Sequence, residues 1–384
     1  MSRRTDALAR AFFAGLMRGP LVALAVVIML GALTAPSSAV TRDYALCFGD
    51  ENGSDDDGGP IYSNEASVDD GAADRRIAAC SVIAEDTTEA LRLRAKAYFY
   101  RASARNDKED WDGAIADYGE AIAIDPKQAA AYFNRGADWY NKGDDDRAIA
   151  DFNVTISLEP SASEAYSSRG AAFLRKGNID AAMVDYQQAI KADAQNSAAH
   201  TGLGQAWDRK GKRDKASAEY DEAIRLDPTD MIALLNRALN RLDRGEFDQA
   251  MADYDAAIGI DPKSAEAYAN RSAAWLSKDG WGRAIADASK AIQLDPAIVD
   301  GYYFRGVAWA SKGNNDRAIA DFDKAIALDA NDARAWFVRS LTRALSGDAI
   351  GAAADCRKAI ELDPRRAGTC GDQVAGGGGK PTSP

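Results

Sequence analysis

The chain has 384 residues, of which 46% are hydrophobic, 28% charged and 8% aromatic, which is enough apolar material for two or three domains. It carries 47 Lys and Arg against 59 Asp and Glu, a formal net charge of −12, so it lacks the excess of cations that binding to nucleic-acid phosphates requires. A single histidine and four cysteines provide little material for a zinc site or a histidine-based triad. We therefore expect no nucleic-acid partner, no metal and no other cofactor.

Residues 1–39 have the pattern of a secretory signal peptide. A basic start with four arginines precedes an apolar run over residues 21–33, and small residues follow at Ser37 and Ala39. The thirteen residues of that run are typical of a signal core but fall short of the about 20 that span a bilayer. We predict cleavage near Ala39-Val40 and a periplasmic or secreted mature protein. The alternative is an uncleaved segment that anchors the chain to a membrane.

Residues 40–75 form an acidic, glycine-containing segment that we predict to be flexible. Part of it has oxygen-bearing residues at the spacing of a calcium-binding loop. However, Asp55 stands where that loop requires glycine, and Ile61 stands where a glutamate should close the site. The sequence therefore argues against a calcium site here.

A period of 34 residues runs through most of the remaining chain. Prolines recur at intervals of 34 or 68 residues, at Pro126, Pro160, Pro228, Pro262, Pro296 and Pro364. Taking each proline as position 32 divides residues 95–366 into eight units. A partial unit over residues 76–94 precedes them, and residues 367–384 are predicted to be a disordered tail. A fixed period of this length predicts a solenoid of stacked repeats.

Each unit has the pattern of two helices. In the third unit Tyr166, Gly170 and Phe173 lie at helical spacing, a Gly-Asn pair then breaks the helix, and Ala182 and Tyr186 lie on one face of a second helix. Gly170 and Ala182 are small enough for the two helices to approach closely. Because one hairpin cannot cover its own apolar flanks, neighbouring units must stack. The sequence therefore predicts an all-α solenoid.

The recurring order of aromatic, glycine, aromatic, alanine, aromatic and proline resembles the tetratricopeptide repeat (TPR). The second unit shows the full pattern, with Tyr132, Gly136, Trp139, Ala148, Phe152 and Pro160. The resemblance covers eight units of 34 residues, or 272 of 384 residues. It implies a right-handed α-α superhelix of eight TPR hairpins. Together with the signal-peptide pattern, it identifies the chain as an exported bacterial TPR protein, which we do not expect to be an enzyme. The sequence contains no phosphate loop, zinc helix or nucleophile elbow, in agreement with that expectation.

The four cysteines lie at the two ends of the repeat array. Four cysteines allow three pairings, and only Cys47–Cys80 with Cys356–Cys370 avoids bonds across the whole array. We predict these two disulfides, each worth about 3 kcal/mol in the chain-entropy account. The alternative is four unpaired buried thiols.

Charged and aromatic residues also recur with the repeat. An arginine at position 7 and an acid at position 23 have equal periodicity, which predicts ion pairs between the two helices of a hairpin. The fourth unit is an exception, because Leu203 replaces the arginine and Glu219 is left without its predicted partner. His200 stands at an aromatic position and is predicted to be a packed ring. The seven tryptophans fall on packing positions, which argues against a sugar-binding platform.

The TPR resemblance also implies a binding groove. In that family positions 2, 5, 9 and 12 of each first helix face a concave surface, and a protein or peptide binds there. The candidate groove residues in this sequence are Ile232, Leu235, Asn236, Leu239, Leu242, Asn270, Tyr303, Val307, Phe337 and Leu341. These apolar side chains with nearby amides suit an extended or helical peptide. The alternative is that they only pack against neighbouring first helices.

Two functional hypotheses follow. The first is a non-catalytic interaction scaffold in the periplasm that binds its partner in the groove. The second is a membrane-anchored assembly or regulatory subunit of a cell-envelope polysaccharide or cell-wall synthesis machine. The second hypothesis requires that residues 1–39 remain attached to the chain.

Overall fold

The computed structural model describes residues 38–49 and 70–368. These residues form eighteen α-helices and contain no β-strand, which confirms the prediction of an all-α repeat fold. Most of the predicted signal peptide, most of the acidic segment and the chain from residue 369 onward lie outside the described residues. Within the described ranges, no helix has both the length and the apolar character needed to cross a bilayer.

The chain divides into two compact units, Met1–Ala172 and Phe173–Pro384. The first unit contains α1 (Ser38–Phe48), α2 (Asp70–Glu85), α3 (Leu91–Asn106), α4 (Trp111–Ile124), α5 (Ala129–Asn141), α6 (Asp145–Leu158) and most of α7 (Ser163–Arg175). The second contains α8 (Ile179–Ala192), α9 (Ser197–Arg209), α10 (Arg213–Leu226), α11 (Met231–Asp243), α12 (Phe247–Ile260), α13 (Ala265–Leu276), α14 (Trp281–Leu294), α15 (Val299–Ser311), α16 (Asn315–Leu328), α17 (Ala333–Leu345) and α18 (Ala349–Leu362). A 3-10 turn at Pro364–Arg366 follows α18. Helices α3 to α18 are therefore the eight hairpins, and each repeat has a first and a second helix.

The turn inside each hairpin is determined by a few residues. Gly143, between α5 and α6, has φ of +84°, a backbone conformation that residues with a Cβ rarely adopt. The next residue, Asp144, accepts a hydrogen bond from the backbone N–H of Arg147 and so caps α6. In the first and sixth repeats Glu109 and Asp279 adopt the left-handed conformation instead, with φ of +59° and +54°. The sequence thus ends one helix and begins the next within a few residues.

Glycine at position 8 brings the two helices of a hairpin together. A Cβ on Gly204 would lie 2.5 Å from Cε1 of Tyr220, and one on Gly306 would lie 2.6 Å from Cε1 of Phe322. Both rings are fully buried. In these repeats a side chain at position 8 would therefore force the aromatic ring of position 24 to shift. Repeats 1 and 5 have Ala102 and Ala238 at this position, and their rings Tyr118 and Tyr254 are still buried, so a small residue is sufficient there. This confirms the close approach that the small residues predicted.

The predicted ion pairs between positions 7 and 23, called the arginine ladder below, are confirmed, and their arginines form a second set of bonds. Arg237 donates from Nε and Nη2 to the two carboxylate oxygens of Asp253, at 3.1 and 2.7 Å. Its Nη1 donates to Asp221, at position 25 of the preceding repeat, at 2.7 Å. The pair between positions 7 and 23 also occurs in repeats 1, 2, 6, 7 and 8. Because one guanidinium binds both its own hairpin and the hairpin before it, the arginine also fixes the contact between repeats.

The fourth repeat corrects one prediction. Glu219 is not left unpaired, because Nδ1 of His200 lies 2.8 Å from its Oε2. Leu203, which replaces the arginine, is buried with 4% exposure. His200 precedes Leu203 by three residues and therefore lies on the same side of α9. The imidazole is thus more than a packed ring, since it serves as the hydrogen-bonding partner of the acid that the arginine binds elsewhere.

A disulfide joins α1 to α2. Cys47 and Cys80 are bonded, as predicted, and both are fully buried. They share an apolar cluster with Ile83 and Ala97, against which Tyr44 and Phe48 of α1 pack. The predicted flexible segment over 40–75 is therefore helical at both of its ends, because this cluster and the disulfide hold α1 against the first hairpin. Cys356 is also disulfide-bonded, and its predicted partner Cys370 lies outside the described residues.

Candidate functional site

The candidate groove is a row of first helices within the second unit. Helices α9, α11, α13, α15 and α17 come from repeats 4 to 8, and each contacts the next helix in the row. Side chains at positions 2, 5, 9 and 12 of these helices therefore lie next to the same positions of the neighbouring repeats. Such a row presents a continuous surface to a ligand, as repeat proteins generally do.

The four apolar candidates on α11 divide into two groups. Ile232 and Leu239 are 56% and 55% exposed, whereas Leu235 is 8% exposed. Leu242 is half-buried and packs against the core cluster that contains Leu235 and Tyr254. Two of the candidates therefore point away from the core, and the other two hold α11 against α12. The two outward side chains are seven residues apart, or about 10.5 Å along the helix axis.

The candidates in repeats 6 to 8 are more enclosed. Asn270, Tyr303, Val307, Phe337 and Leu341 are all half-buried. The ring of Tyr303 packs against Phe304 and Phe322 at 5.3 and 6.3 Å between centroids, and the Arg334 guanidinium lies 4.8 Å from its centroid. The Arg366 guanidinium lies 5.1 Å from the Phe337 centroid. These aromatic rings are thus partly covered by the chain itself, while Ile232 and Leu239 are not. Asn236, on α11 between those two residues, is half-buried.

Acidic groups surround the exposed part of α11. On its α9 side, Asp208 accepts hydrogen bonds from Tyr220 and Asn240 at 2.7 and 2.9 Å. Burial and this carboxylate raise the pKa of the Tyr220 hydroxyl. On its α13 side, Glu266 is exposed in the first turn of the helix. The site therefore combines exposed aliphatic side chains with negative charge on both flanks.

Sequence reasoning missed an exposed apolar pair at the hairpin turn of the last repeat. Leu345 and Ile350 are 77% and 87% exposed, more than any other large apolar side chain of the described residues. They occupy positions 13 and 18, which in the other seven repeats carry only polar residues or glycine. A comparison of positions 13 and 18 across the eight repeats would have identified this pair, because the last repeat alone has apolar residues there.

A buried carboxyl group links the first helices of repeats 1 and 2. Asp138 on α5 is fully buried, and Asn106 on α3 donates to one of its oxygens at 2.7 Å. Its other oxygen has no hydrogen-bond partner among the described residues. Burial raises the pKa of Asp138 from 3.8 to about 7. The equivalent contact between repeats 4 and 5 reverses the two residue types, with Asp208 on the earlier helix and Asn240 on the later one.

The variant Asp138→Asn is expected to make stability less dependent on pH. Between about pH 4 and about pH 7 the folded protein keeps this proton while the unfolded chain releases it, so the group lowers the free energy of unfolding progressively as pH rises. An amide does not titrate. The melting temperature of Asp138→Asn minus that of the wild type should therefore increase from pH 4 to pH 8, measured by circular dichroism. A difference that stays constant across this range would contradict the assignment. The matched control is Asp208→Asn, which loses charge-assisted bonds to Tyr220 and Asn240 and should melt below the wild type at neutral pH.

The fold and the groove define a helical repeat protein of the solenoid class, and the comparison with family models identifies the repeat. Residues 102–137 match the model described as TPR repeat. Six overlapping segments match the model described as tetratricopeptide repeat: 140–198, 168–231, 201–265, 235–297, 276–333 and 311–367. These matches cover more than half of the chain, which therefore belongs to the tetratricopeptide repeat family. Members of this family generally serve as scaffolds that bind proteins or peptides.

Solved structures agree with this assignment at the level of the fold. A chain of the APC/C hetero-tetramer Cut9–Hcn1 is 16% identical, with a TM-score of 0.60 over 79% of this chain. The match spans 59% of that longer chain. A tetratricopeptide repeat protein from Parabacteroides merdae ATCC 43184 is 19% identical, with a TM-score of 0.51 over 64% of this chain and 97% of that one. The search of curated proteins finds no match.

Proposed function

We propose that this chain is an exported bacterial scaffold that binds a protein or peptide through the first helices of repeats 5 to 8, without catalysing a reaction. One observation carries the proposal: Ile232 and Leu239 are more than half exposed on one face of α11, in the row of helices where a TPR ligand binds. Removal of apolar surface from water is favourable by about 25 cal/mol per Å², so a partner that covers these side chains gains binding free energy. An apolar patch with a polar rim is typical of an interaction site.

The proposed export is supported by two independent features. Residues 1–39 have the pattern of a signal peptide, and the Cys47–Cys80 disulfide joins the first two described helices. Structural disulfides persist in oxidising compartments such as the periplasm and are rare in the cytosol. N-terminal sequencing of the protein from its host should therefore begin near Val40. A sequence that begins at Met1 would instead favour the membrane-anchored envelope subunit.

The variant Leu239→Asp is expected to abolish partner capture while the fold is retained. The free protein tolerates the substitution because the side chain is 55% exposed, whereas a bound partner would bury the new carboxylate against its own apolar side chains. Capture from envelope extract by the immobilised mature protein should fall by about tenfold or more, which corresponds to about 1.4 kcal/mol. Circular dichroism and the melting temperature should stay near those of the wild type.

A matched control exists on another surface of the same unit. Val184 on the second helix α8 is 56% exposed, and Val184→Asp introduces the same charge away from the row of first helices. This variant should capture as much partner as the wild type. If Leu239→Asp captures partner as well as Val184→Asp does, α11 is not the binding surface.

A further inference from the structure

Helix α11 carries an apolar pattern that its neighbours lack. Ile232, Leu235, Leu239 and Leu242 follow one another at intervals of three, four and three residues, which is the spacing of positions a and d in a heptad. The flanking repeats interrupt this pattern with polar residues or alanine: Ala198, Thr201, Gln205 and Asp208 in repeat 4, Glu266, Ala269 and Ala273 in repeat 6, and Asp300 and Ala310 in repeat 7. A complete seam of large aliphatic side chains therefore occurs on this helix of the row alone among repeats 4 to 7.

The exposed half of this seam, Ile232 and Leu239, favours a helical occupant over an extended one. The backbone groups of α11 are bonded within the helix, so an extended peptide would find few partners for its own N–H and C=O groups beyond the amides of Asn236 and Asn270. A helical ligand satisfies its backbone internally and needs only apolar side chains to cover Ile232 and Leu239. The separation of seven residues between these two matches two turns of a second helix lying along the first.

The charges around the seam favour a cationic ligand. Positions 2, 5, 9 and 12 of repeats 4 to 7 contain no lysine or arginine. Glu266 is exposed on the α13 side, and Asp208 and Asp230 lie towards α9, where Asp230 accepts a hydrogen bond from Thr201 at 2.5 Å. At the end of α11, Asp243 forms an ion pair with Arg213. Asp208, Asp230 and Glu266 thus border an aliphatic stripe whose own positions 2, 5, 9 and 12 carry no basic residue, while Arg213 is paired with Asp243.

We propose that α11 and its acidic borders bind an amphipathic helix of net positive charge. This inference rests on the proposed function and specifies its ligand: large aliphatic residues at heptad spacing cover Ile232 and Leu239, and lysine or arginine beside them faces Glu266. The affinity then has an apolar component that is insensitive to salt and an electrostatic component that salt weakens.

Three synthetic peptides of about three heptads each test the proposal. The first has leucine and isoleucine at positions a and d and lysine at e and g, the second replaces each lysine by glutamate, and the third places proline in the middle heptad of the first. Each is titrated into the mature full-length protein, with fluorescence anisotropy for binding and circular dichroism for peptide helicity. We expect the lysine peptide to bind about tenfold or more tightly than the other two and to become helical on binding.

Three variants of the protein separate specific docking from attraction to an acidic surface. Leu239→Asp should lower the affinity for the lysine peptide by about tenfold, and Val184→Asp should leave this affinity unchanged. Glu266→Gln should lower it mainly at low salt. Equal binding of the lysine and glutamate peptides, equal binding of the proline peptide, or binding insensitive to Leu239→Asp would each overturn the proposal. If these peptides fail while Leu239→Asp still abolishes partner capture, the helical ligand is wrong and the groove function stands. If Leu239→Asp leaves capture unchanged, the groove function itself is wrong.

Discussion

Replacement of Asp253 by alanine is expected to lower the free energy of unfolding of the fifth repeat by about 3 kcal/mol, at the lower end of the range for breaking a buried ion pair. The Asp253 side chain is 5% exposed and accepts hydrogen bonds from Nε and Nη2 of Arg237. It also accepts one from Nη1 of Arg241, at 2.6 Å. Its removal takes the carboxylate away from the Arg237 and Arg241 side chains, which are only 13% and 20% exposed. The remaining bond from Arg237 to Asp221 moderates the cost.

The control for this experiment is an exposed ion pair of the same residue types. Asp214, whose side chain is 93% exposed, lies 3.4 Å from Arg244, and Asp214→Ala should change stability by less than about 1 kcal/mol. Because repeat arrays can unfold in parts, hydrogen exchange of the α11 and α12 amides is the appropriate measurement, with urea unfolding beside it. Asp253→Asn keeps the shape of the side chain but not its charge, so its loss of stability should lie between those of Asp253→Ala and Asp214→Ala. Equal effects of Asp253→Ala and Asp214→Ala would show that burial does not strengthen the ladder.

Removal of the disulfide by the double variant Cys47→Ala with Cys80→Ala is expected to destabilise the N-terminal cap by about 3–4 kcal/mol. The bond closes a loop with a sequence separation of 33, and the chain-entropy account gives this magnitude for a loop of that length. Both sulfur atoms also lie in the cluster with Ile83 and Ala97, so the apolar contacts of the first hairpin weaken with the bond.

The effect should be local. In a solenoid each repeat contacts only its neighbours, so amide exchange should accelerate in α1, α2 and α3 and stay at the wild-type rate in α13 to α16. The matched control is Cys356→Ala, which removes the disulfide at the other end of the array and should leave exchange in α1 unchanged. Wild-type protection of α1 in the double variant would show that packing alone holds the cap.

Much of the fold follows from the 34-residue period because each position of a TPR hairpin has the same surroundings in every copy. The ring at position 24 packs against the small residue at position 8, and the arginine at position 7 binds the acid at position 23, so an equal period of both partners is sufficient to predict the contact. Contacts between repeats are different. The bond from Arg237 to Asp221 and the replacement of the ladder by His200 and Glu219 depend on how neighbouring hairpins are placed, which no single copy specifies.

In the candidate groove, too, the repeat pattern predicts which helix a residue lies on, whereas contacts between repeats decide its exposure. The resemblance to the TPR family placed Ile232, Leu235, Leu239 and Leu242 on the first helix of the fifth repeat, but it did not separate the outward pair from the pair that packs inward. It also did not predict that Arg334 and Arg366 would cover Tyr303 and Phe337. Coverage by a side chain from a later repeat or from the C-terminal turn depends on distances in space rather than on position within the repeat.

By itself, the amino-acid sequence determined the class of the fold and the number and length of the hairpins, because helical periodicity, glycine turns and chain order act over short distances along the chain. It favoured the pairing of Cys47 with Cys80, which the structure shows. The tertiary structure decided which apolar side chains remain exposed, how each arginine links two repeats and that Asp138 is buried with one unpaired oxygen. These features depend on burial, and burial is a property of the surfaces that surround a residue after neighbouring helices have packed.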